Sequence, residues 1–349
     1  MKKVLTLALA LAMVLSLFGC SGGSDRNQPD KSPSSETKKE EVQKKEAVKL
    51  RLTWLGDDMN KEKLDRSLKP FVDETGMEVE TVYIPGTWEE YFTKIQTMVA
   101  GGEVVDNAYI AIEGFEMFRH MGLAQSVDRF VEKSEKNKEK VEELFSDVPK
   151  GVAAPFTMNG ELFGFPTSYN NVVMHFNTKL LEEAGVELPQ ADWGMEEFLE
   201  ICEKLTKELD GVKQYALSIP DGNFMIEAWL RNNGADFMTS DFTKSTINSP
   251  ESIEIFQLFQ DLVHKYGYAP IPEPNVETIQ QLVDGKTAMG SWGRWPMDEY
   301  ETNEFKDVAL QYLPSFKENR IQFGVDGIFV TSKTEHYDEA CELALYIAS

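Results

Sequence analysis

Cysteine and histidine are scarce in this chain of 349 residues, which contains three cysteines and four histidines. They form no C-x-x-C pair and no cluster with metal-ligand spacing, and H-E-x-x-H, G-x-S-x-G and G-x-x-x-x-G-K-[ST] motifs are missing. These absences argue against a disulfide framework and against a recognisable zinc-peptidase, serine-hydrolase or P-loop nucleotide site. We therefore predict no metal, no cofactor and no catalysis. Cys202 and Cys341 lie in apolar helical patterns and are predicted to be buried free thiols.

Positive charge is also in short supply. The chain has 35 Lys and Arg against 59 Asp and Glu, which gives a formal net charge of -24. Binding to a phosphate backbone requires clustered Lys and Arg, so nucleic acid is excluded as a partner. A strong negative charge is typical of a well-solvated protein and is consistent with a location outside the cytoplasm.

Long apolar runs are missing except at the N-terminus, where an apolar run over 4–18 follows two lysines. This run is shorter than the ~20 residues of a membrane-spanning helix, so we interpret 1–19 as a signal peptide. It ends in Leu-Phe-Gly-Cys, which resembles a bacterial lipobox with Cys20 as the acylated residue. The alternative is an ordinary signal peptide with an incidental cysteine. Residues 20–47 contain few apolar side chains and are predicted to be a disordered tether.

The rest of the chain alternates between strand and helix patterns. Strands with alternating apolar residues are predicted over 48–54, 77–84 and 104–112, with amphipathic helices between them. A second unit begins at 172 and includes a helix over 195–209. Three later strands, near 287–292, 308–313 and 322–331, could join either unit. The pattern predicts an α/β protein of two domains.

Four segments, in this order along the chain, resemble the extracellular solute-binding proteins of the carbohydrate class, the relatives of maltose-binding protein. The first, at 164–185, reads GFPTSYNNVVMHFNTKLLEEAG. The second and third read PQADWGMEEFLEICEKL at 189–205 and GKTAMGSWGRW at 285–295. The fourth reads GVDGIFVTSKTEHYDEACELAL at 324–345. The resemblance extends over nearly all of 48–349.

The resemblance implies a type II periplasmic-binding-protein fold, in which each of two lobes has a mainly parallel sheet covered by helices. Lobe 1 is expected to contain 48–165 with a return of about 290–322, and lobe 2 is expected to contain 166–288 with 323–349. Members of the family continue for several helices past the position of Ser349. The C-terminal part of the second lobe is therefore expected to be missing from this sequence.

The implied function is that of the substrate-binding subunit of an ABC importer, anchored by lipid to the outer face of the cell membrane. Such a protein captures a mono- or oligosaccharide by hinge closure, works as a monomer, and delivers the sugar to permease subunits. Two alternatives stay open. A surface glycoside hydrolase would need two carboxylates ~5–10 Å apart, and only Glu113 stands in a convincing loop for such a role. A sensor or adhesion module would bind the same solutes without a transporter.

Candidate ligand-binding residues are the aromatic, acidic and amide side chains near strand ends, because sugars stack on rings and donate hydroxyl hydrogens to carboxylates and amides. Their positions are Trp54, Asp57, Asp58, Glu113, Tyr169, Asn170, Phe224, Trp292, Arg294, Trp295 and Asp326. Some have structural alternatives: Asp57 or Asp58 could cap a helix, and Asp326 could hold a turn. By the resemblance, Trp295 stands where the maltose-binding relative stacks a sugar ring. His175 and Trp229 are predicted to be core residues.

Overall fold

A computed structural model describes residues 47–56, 58–209, 211–240, 243–273, 278–320 and 322–349. The predicted signal peptide, Cys20, the tether up to residue 46 and Asp57 lie outside the described residues, as does the side chain of Asp58. The described residues from 47 onward belong to one compact unit.

Strands and helices alternate as the sequence predicts. The strands are β1 (Lys49–Leu55), β2 (Glu78–Ile84), β3 (Asn107–Ala111), β4 (Thr157–Met158), β5 (Glu161–Leu162), β6 (Gly164–Asn171), β7 (Val173–Asn177), β8 (Lys207–Leu209), β9 (Val212–Leu217), β10 (Thr287–Trp292), β11 (Val308–Gln311) and β12 (Phe323–Val330). The helices are α1 (Asp58–Thr75), α2 (Trp88–Ala100), α3 (Phe115–His120), α4 (Asp128–Glu132), α5 (Glu135–Asp147), α6 (Lys150–Ala153), α7 (Thr178–Ala184), α8 (Met195–Leu205), α9 (Asn223–Asn232), α10 (Pro250–His264), α11 (Thr278–Val283), α12 (Pro296–Thr302) and α13 (Tyr337–Ala348).

The first lobe is built on a five-stranded sheet in the order β2-β1-β3-β12-β6. Strand β1 runs parallel to β2 and β3, whereas β12 is antiparallel to β3 and β6. Side chains of α1 and α13, including Leu68, Phe71 and Leu343, pack with Ile328 of the sheet in one core cluster. Because of these directions, β1 and β3 end at the same sheet edge at which β12 begins and β6 ends.

The second lobe is built on a sheet in the order β11-β7-β10-β9-β8. Strand β10 is parallel to β9 and antiparallel to β7, and the two outer pairings are antiparallel. The core of this lobe is rich in aromatic residues, with Trp193, Phe198 and Trp229 fully buried.

The strand pairing corrects the predicted lobe boundaries. Strand β12 and helix α13 belong to the first lobe, whereas β10 and β11 belong to the second, so the prediction had the two return segments reversed. The chain first crosses between lobes at 171–173 rather than at 165–166. The sheets are also not mainly parallel: two of four pairings are parallel in the first and one of four in the second. Periodicity reveals which face of a strand is buried but not which strand lies beside it.

The two segments that cross between the lobes lie side by side. Phe323 at the start of β12 is the Cα partner of Asn171 at the end of β6. One residue further along, the Val172 N–H donates to the Gln322 carbonyl at 3.0 Å. Two adjacent, hydrogen-bonded segments therefore connect the lobes.

Helix α8 ends earlier than predicted. The sequence pattern extends the helix to 209, but α8 ends at Leu205 and β8 follows it as an antiparallel partner of β9. Gly211 supplies the left-handed backbone of the turn between these strands, with a φ of 80°. Pairing with β9 outweighs the helical pattern over the last residues.

Candidate functional site

Three aromatic rings lie at the edge of the first sheet where β1 and β3 end. Trp54 of β1 stacks on Tyr109 of β3, with ring centroids 4.0 Å apart and an interplanar angle of 7°. Trp88, the first residue of α2, lies 5.5 Å from the Tyr109 ring. Thr87 fixes the start of this helix by a capping box with Glu90. The rings are partly exposed, so they form a surface on which another flat apolar face could pack.

Two acidic residues, Asp326 and Glu113, lie at the same edge of the first sheet. Asp326 of β12 is largely buried and accepts a hydrogen bond from the Ser168 hydroxyl at 3.0 Å. Burial raises the pKa of Asp326, and hydrogen bonding from Ser168 and Tyr109 opposes that rise. Glu113 lies in the short 3-10 turn Ile112–Gly114 that follows β3. Glu113 is exposed at the surface. Even so, partial desolvation by the surrounding protein raises its pKa, and the negative charges of Asp326 and Glu227 raise it further.

A third carboxylate comes from the second lobe. Glu227 of α9 accepts hydrogen bonds from the Arg231 guanidinium at 2.6 Å and from the Gln322 amide at 2.9 Å. Burial raises the pKa of Glu227, and Arg231 opposes the rise. Because the charge of Glu227 acts on Glu113, carboxylates on the two lobes are within electrostatic reach of each other. Gln322 links Glu227 to the segment that crosses between the lobes.

Phe224 and Trp295 form an aromatic pair on the same lobe as Glu227. Their ring centroids are 6.2 Å apart, and Trp295, just before α12, keeps 42% of its surface exposed. Phe224 also contacts the crossing strand β12, because a Cβ placed on Gly324 would lie 3.0 Å from Cε2 of Phe224. Glycine at position 324 therefore allows the Phe224 ring to approach the β12 backbone closely.

Asn170 joins the crossing strand β6 to residues 293–295, which connect β10 to α12 and which we call the Trp295 loop. The Arg294 backbone N–H donates to Asn170 Oδ1 at 3.2 Å. The Arg294 side chain is exposed, and within the described part of the chain it makes no ion pair. Asn170 and Ser168 are the Cα partners of Gly324 and Asp326, so these positions share one face of the two-stranded crossing.

Two predicted site residues lie elsewhere. Tyr169 is 53% exposed, but it pairs with Val325 on the strand face opposite Asn170, so the two do not both face the Trp295 loop. Trp292 is 3% exposed and donates its Nε1–H to the Thr278 hydroxyl at 3.3 Å. It is a core residue, because it lies in a buried cluster with Leu282 of α11 and Tyr300 of α12. His175 and Trp229 are buried, as predicted.

Apart from Tyr169 and Trp292, the predicted residues whose side chains the structure describes form one connected set, which we call the interlobe site. From the predicted list it contains Trp54, Glu113, Asn170, Phe224, Arg294, Trp295 and Asp326; the structure adds Trp88, Tyr109 and Glu227. One sequence signal could have identified Glu227, because it lies three residues after Phe224 and shares its helix face. Tyr109 carries no such signal, since a tyrosine in a strand is usually a packing residue.

The described residues hold no group of His, Cys, Asp and Glu with the geometry to bind a metal ion. Of the helices described, none has the length and apolar character needed to cross a membrane. What the interlobe site offers is flat apolar ring surface together with hydrogen-bond acceptors, on two lobes that a pair of strands connects.

Two α/β lobes joined by adjacent crossing strands, with aromatic and acidic side chains where they meet, define a two-lobed binding protein. Residues 67–349 match the model of the bacterial extracellular solute-binding proteins, and the chain belongs to this family. The family and its solved neighbours are substrate-binding proteins rather than enzymes, in agreement with the prediction from the sequence.

Similar proteins share the fold at low sequence identity. An arabinooligosaccharide-binding protein of Halalkalibacterium halodurans is 26% identical over 215 residues, which cover 57% of this chain and 47% of the relative. The chain thus spans about half the length of the curated relatives that it matches. An ABC substrate-binding protein of Listeria monocytogenes in complex with cycloalternan superposes with a TM-score of 0.77 at 24% identity, covering 87% of this chain and 76% of that one. The maltose/maltodextrin-binding domain of Bdellovibrio bacteriovorus bound to maltotriose gives 0.71 at 19% identity, with coverages of 86% and 77%.

Proposed function

We propose that this protein is the substrate-binding subunit of an ABC importer and that it captures a mono- or oligosaccharide between its lobes. The observation that carries the proposal is the composition of the interlobe site: rings and carboxylates stand on both lobes, with Trp54 and Glu113 on one side and Trp295 and Glu227 on the other. Sugar rings present apolar C–H faces for stacking and hydroxyls for hydrogen bonding, so they need this combination.

The crossing strands provide a route for closure on the ligand. They connect the lobes by only a few residues around Val172 and Gln322, and hinge closure needs few residues to change their backbone angles. Asn170, Gln322 and Gly324 of these segments contact Arg294, Glu227 and Phe224 of the second lobe. A movement at the hinge therefore reaches the ligand-binding side chains directly.

The charges of the interlobe site favour a neutral sugar. Three carboxylates, Glu113, Glu227 and Asp326, stand at the site, and Arg231 already pairs with one of them. Arg294, on the second lobe, is exposed and is not among the charges that shift the pKa values of these carboxylates. Ligand hydroxyls can donate to the carboxylates, whereas a carboxylated sugar would be repelled by most of this surface. Relatives described above bind arabinooligosaccharides, cycloalternan and maltotriose, which supports the choice of a neutral saccharide.

We also propose where the protein is located. The apolar run over 4–18 and Cys20 support export and lipid attachment, so that the binding domain is held at the outer face of the cell membrane by the tether over 20–47. There it would deliver its ligand, as a monomer, to the permease subunits of the importer.

A panel of neutral carbohydrates in a thermal-shift assay tests the ligand class. A ligand that binds only the folded protein stabilises it by ~2.7 kcal/mol at a hundredfold excess over Kd. We expect one sugar or a small group of related sugars to raise the Tm by several degrees, and uronic acids of the same ring size to have no effect. If amino acids or peptides raise the Tm while no sugar does, the proposed ligand class is wrong.

A further inference from the structure

A buried histidine lies directly behind the Trp295 loop. His175 of β7 has no exposed surface, and each ring nitrogen has one partner: Nε2 lies 3.0 Å from the Gly293 carbonyl oxygen, and Nδ1 lies 3.0 Å from the Tyr300 hydroxyl. A carbonyl oxygen can only accept, so Nε2 carries the hydrogen and donates it to Gly293. In the neutral ring Nδ1 then accepts from Tyr300. Burial lowers the pKa of His175 to about 4, so the ring is neutral at physiological pH.

The residue that His175 holds is the one on which Trp295 rests. A Cβ placed on Gly293 would lie 2.2 Å from Cζ3 of Trp295, so the indole covers the Cα of Gly293 directly. The backbone of the next residue, Arg294, is held from the other side by Asn170 at 3.2 Å. The backbone beneath the exposed Trp295 ring is therefore fixed at two consecutive residues.

Two aromatic rings hold the His175 imidazole in its orientation. Trp292 and Tyr300 contact the imidazole edge-on, with centroids 5.4 and 5.8 Å away. Gly290, the Cα partner of His175, leaves room for the Trp292 indole, because a Cβ there would lie 2.0 Å from that ring. Trp292, which the sequence predicts at the ligand, thus packs against the histidine that supports the ligand-binding loop.

We propose that His175 is a positioning residue for ligand binding: its Nε2–H, hydrogen-bonded to Gly293, orients the Trp295 ring before the sugar arrives. This inference rests on the proposed function. A ring held in its binding orientation has less freedom to lose on association, and immobilising a side chain typically costs ~0.5–1.5 kcal/mol. Loss of the hydrogen bond should therefore weaken binding by about threefold to tenfold.

The test uses His175→Phe, which keeps a ring but removes the Gly293 hydrogen bond, and His175→Gln, whose amide N–H can replace it. Calorimetric Kd values are measured for the sugar found in the carbohydrate panel. We expect His175→Phe to weaken binding by the stated factor and His175→Gln to stay within about twofold of the wild type, since the donor to Gly293 is restored. Tyr300→Phe, which removes only the hydroxyl, should weaken binding less than His175→Phe does. It is measured in place of His175→Phe if that variant does not fold.

A double-mutant cycle with Trp295→Ala separates positioning from a general structural effect. If His175 acts through Trp295, His175→Phe has no further effect on Kd in the Trp295→Ala protein. Asn177→Ala is the matched control, because Asn177 is a buried residue of the same strand that donates to the Leu282 carbonyl at 3.1 Å, away from the loop. It should lower the Tm and leave Kd unchanged. Equal weakening of binding by His175→Phe in both backgrounds would overturn the proposal.

A measurement without ligand keeps this inference distinct from the proposed function. In protein labelled with 5-fluorotryptophan, the Trp295 signal is assigned by its loss in Trp295→Phe. We expect His175→Phe to shift or broaden the Trp295 signal and to leave that of Trp54, on the other lobe, unchanged. If no sugar binds the wild type, the proposed function fails, whereas an unchanged Trp295 signal in folded His175→Phe protein contradicts the positioning role itself.

Discussion

Replacing two tryptophans of the second lobe by alanine distinguishes a ligand-binding ring from a core ring. Trp229 has no exposed surface and packs against Phe198, Phe259 and Phe316 with centroids within 5.7 Å. Removing such a side chain leaves a cavity and costs ~3–5 kcal/mol of unfolding free energy. In a domain of this size that lowers the Tm by roughly 10 °C. Its indole also donates to the Ser291 hydroxyl, which Trp229→Ala leaves without that partner.

Trp295→Ala should behave differently. The ring keeps 42% of its surface exposed and packs mainly on Phe224 and Gly293, so we expect a loss of about 1–2 kcal/mol, or roughly a third of the Trp229 effect. Stacking a sugar on the exposed ring face would bury about 80 Å² of apolar surface, worth about 2 kcal/mol at ~25 cal/mol per Å². Trp295→Ala should therefore weaken sugar binding by about thirtyfold.

The assay measures Tm and Kd for both variants on the same preparation, with Kd determined well below the Tm so that unfolding does not mimic weak binding. We expect Trp229→Ala to lose stability and to retain wild-type affinity in its folded fraction. We expect Trp295→Ala to lose roughly a third as much stability as Trp229→Ala and to bind sugar about thirtyfold more weakly. If the two variants lose equal stability, or if Trp295→Ala binds sugar as the wild type does, the assignment of Trp295 to the ligand site is refuted.

Two further predictions concern charge and attachment. Glu113→Gln replaces a carboxyl whose pKa is raised above its ordinary value of 4.5 by an amide, which is neutral at every pH. Because the pKa of Glu113 is higher in the folded than in the unfolded protein, its ionisation destabilises the fold. The wild type should therefore lose stability as the pH rises from the ordinary pKa of 4.5 through the raised pKa of the folded protein. The variant should lack this decline and melt at a higher temperature than the wild type at pH 7. Its sugar affinity should fall about tenfold or more, because a hydrogen bond to a charged acceptor is lost, and a variant that melts lower than the wild type at pH 7 would contradict this account. Cys20→Ala should move the protein from the membrane pellet to the soluble fraction, or leave an uncleaved precursor, and a wild type that is equally soluble after sedimentation would exclude the lipid anchor.

The elements whose evidence is local were predictable from the sequence. The capping box at Thr87, the burial of Trp229 and the free buried thiol of Cys202 each follow from residues within one or two helical turns. The order of four family-like segments also predicts the two-lobe fold, which the family match confirms. Rings and carboxylates next to strand ends were visible as candidates, because parallel strands bring their carboxyl ends to a common edge.

What only the tertiary structure decided depends on residues far apart in the chain. Strand β12 pairs with β3 more than 200 residues earlier, and no local pattern reveals that partner. The same holds for Trp292, which is buried against Leu282 of α11 and Tyr300 of α12, and for Glu227, whose charge acts on Glu113 from the other lobe. Tyr169 and Asn170 are neighbours in sequence, but strand alternation directs them to opposite faces, and only the pairing with β12 shows which face meets the Trp295 loop. Periodicity reports the environment along one strand or helix, whereas a binding site is set by which elements pack together.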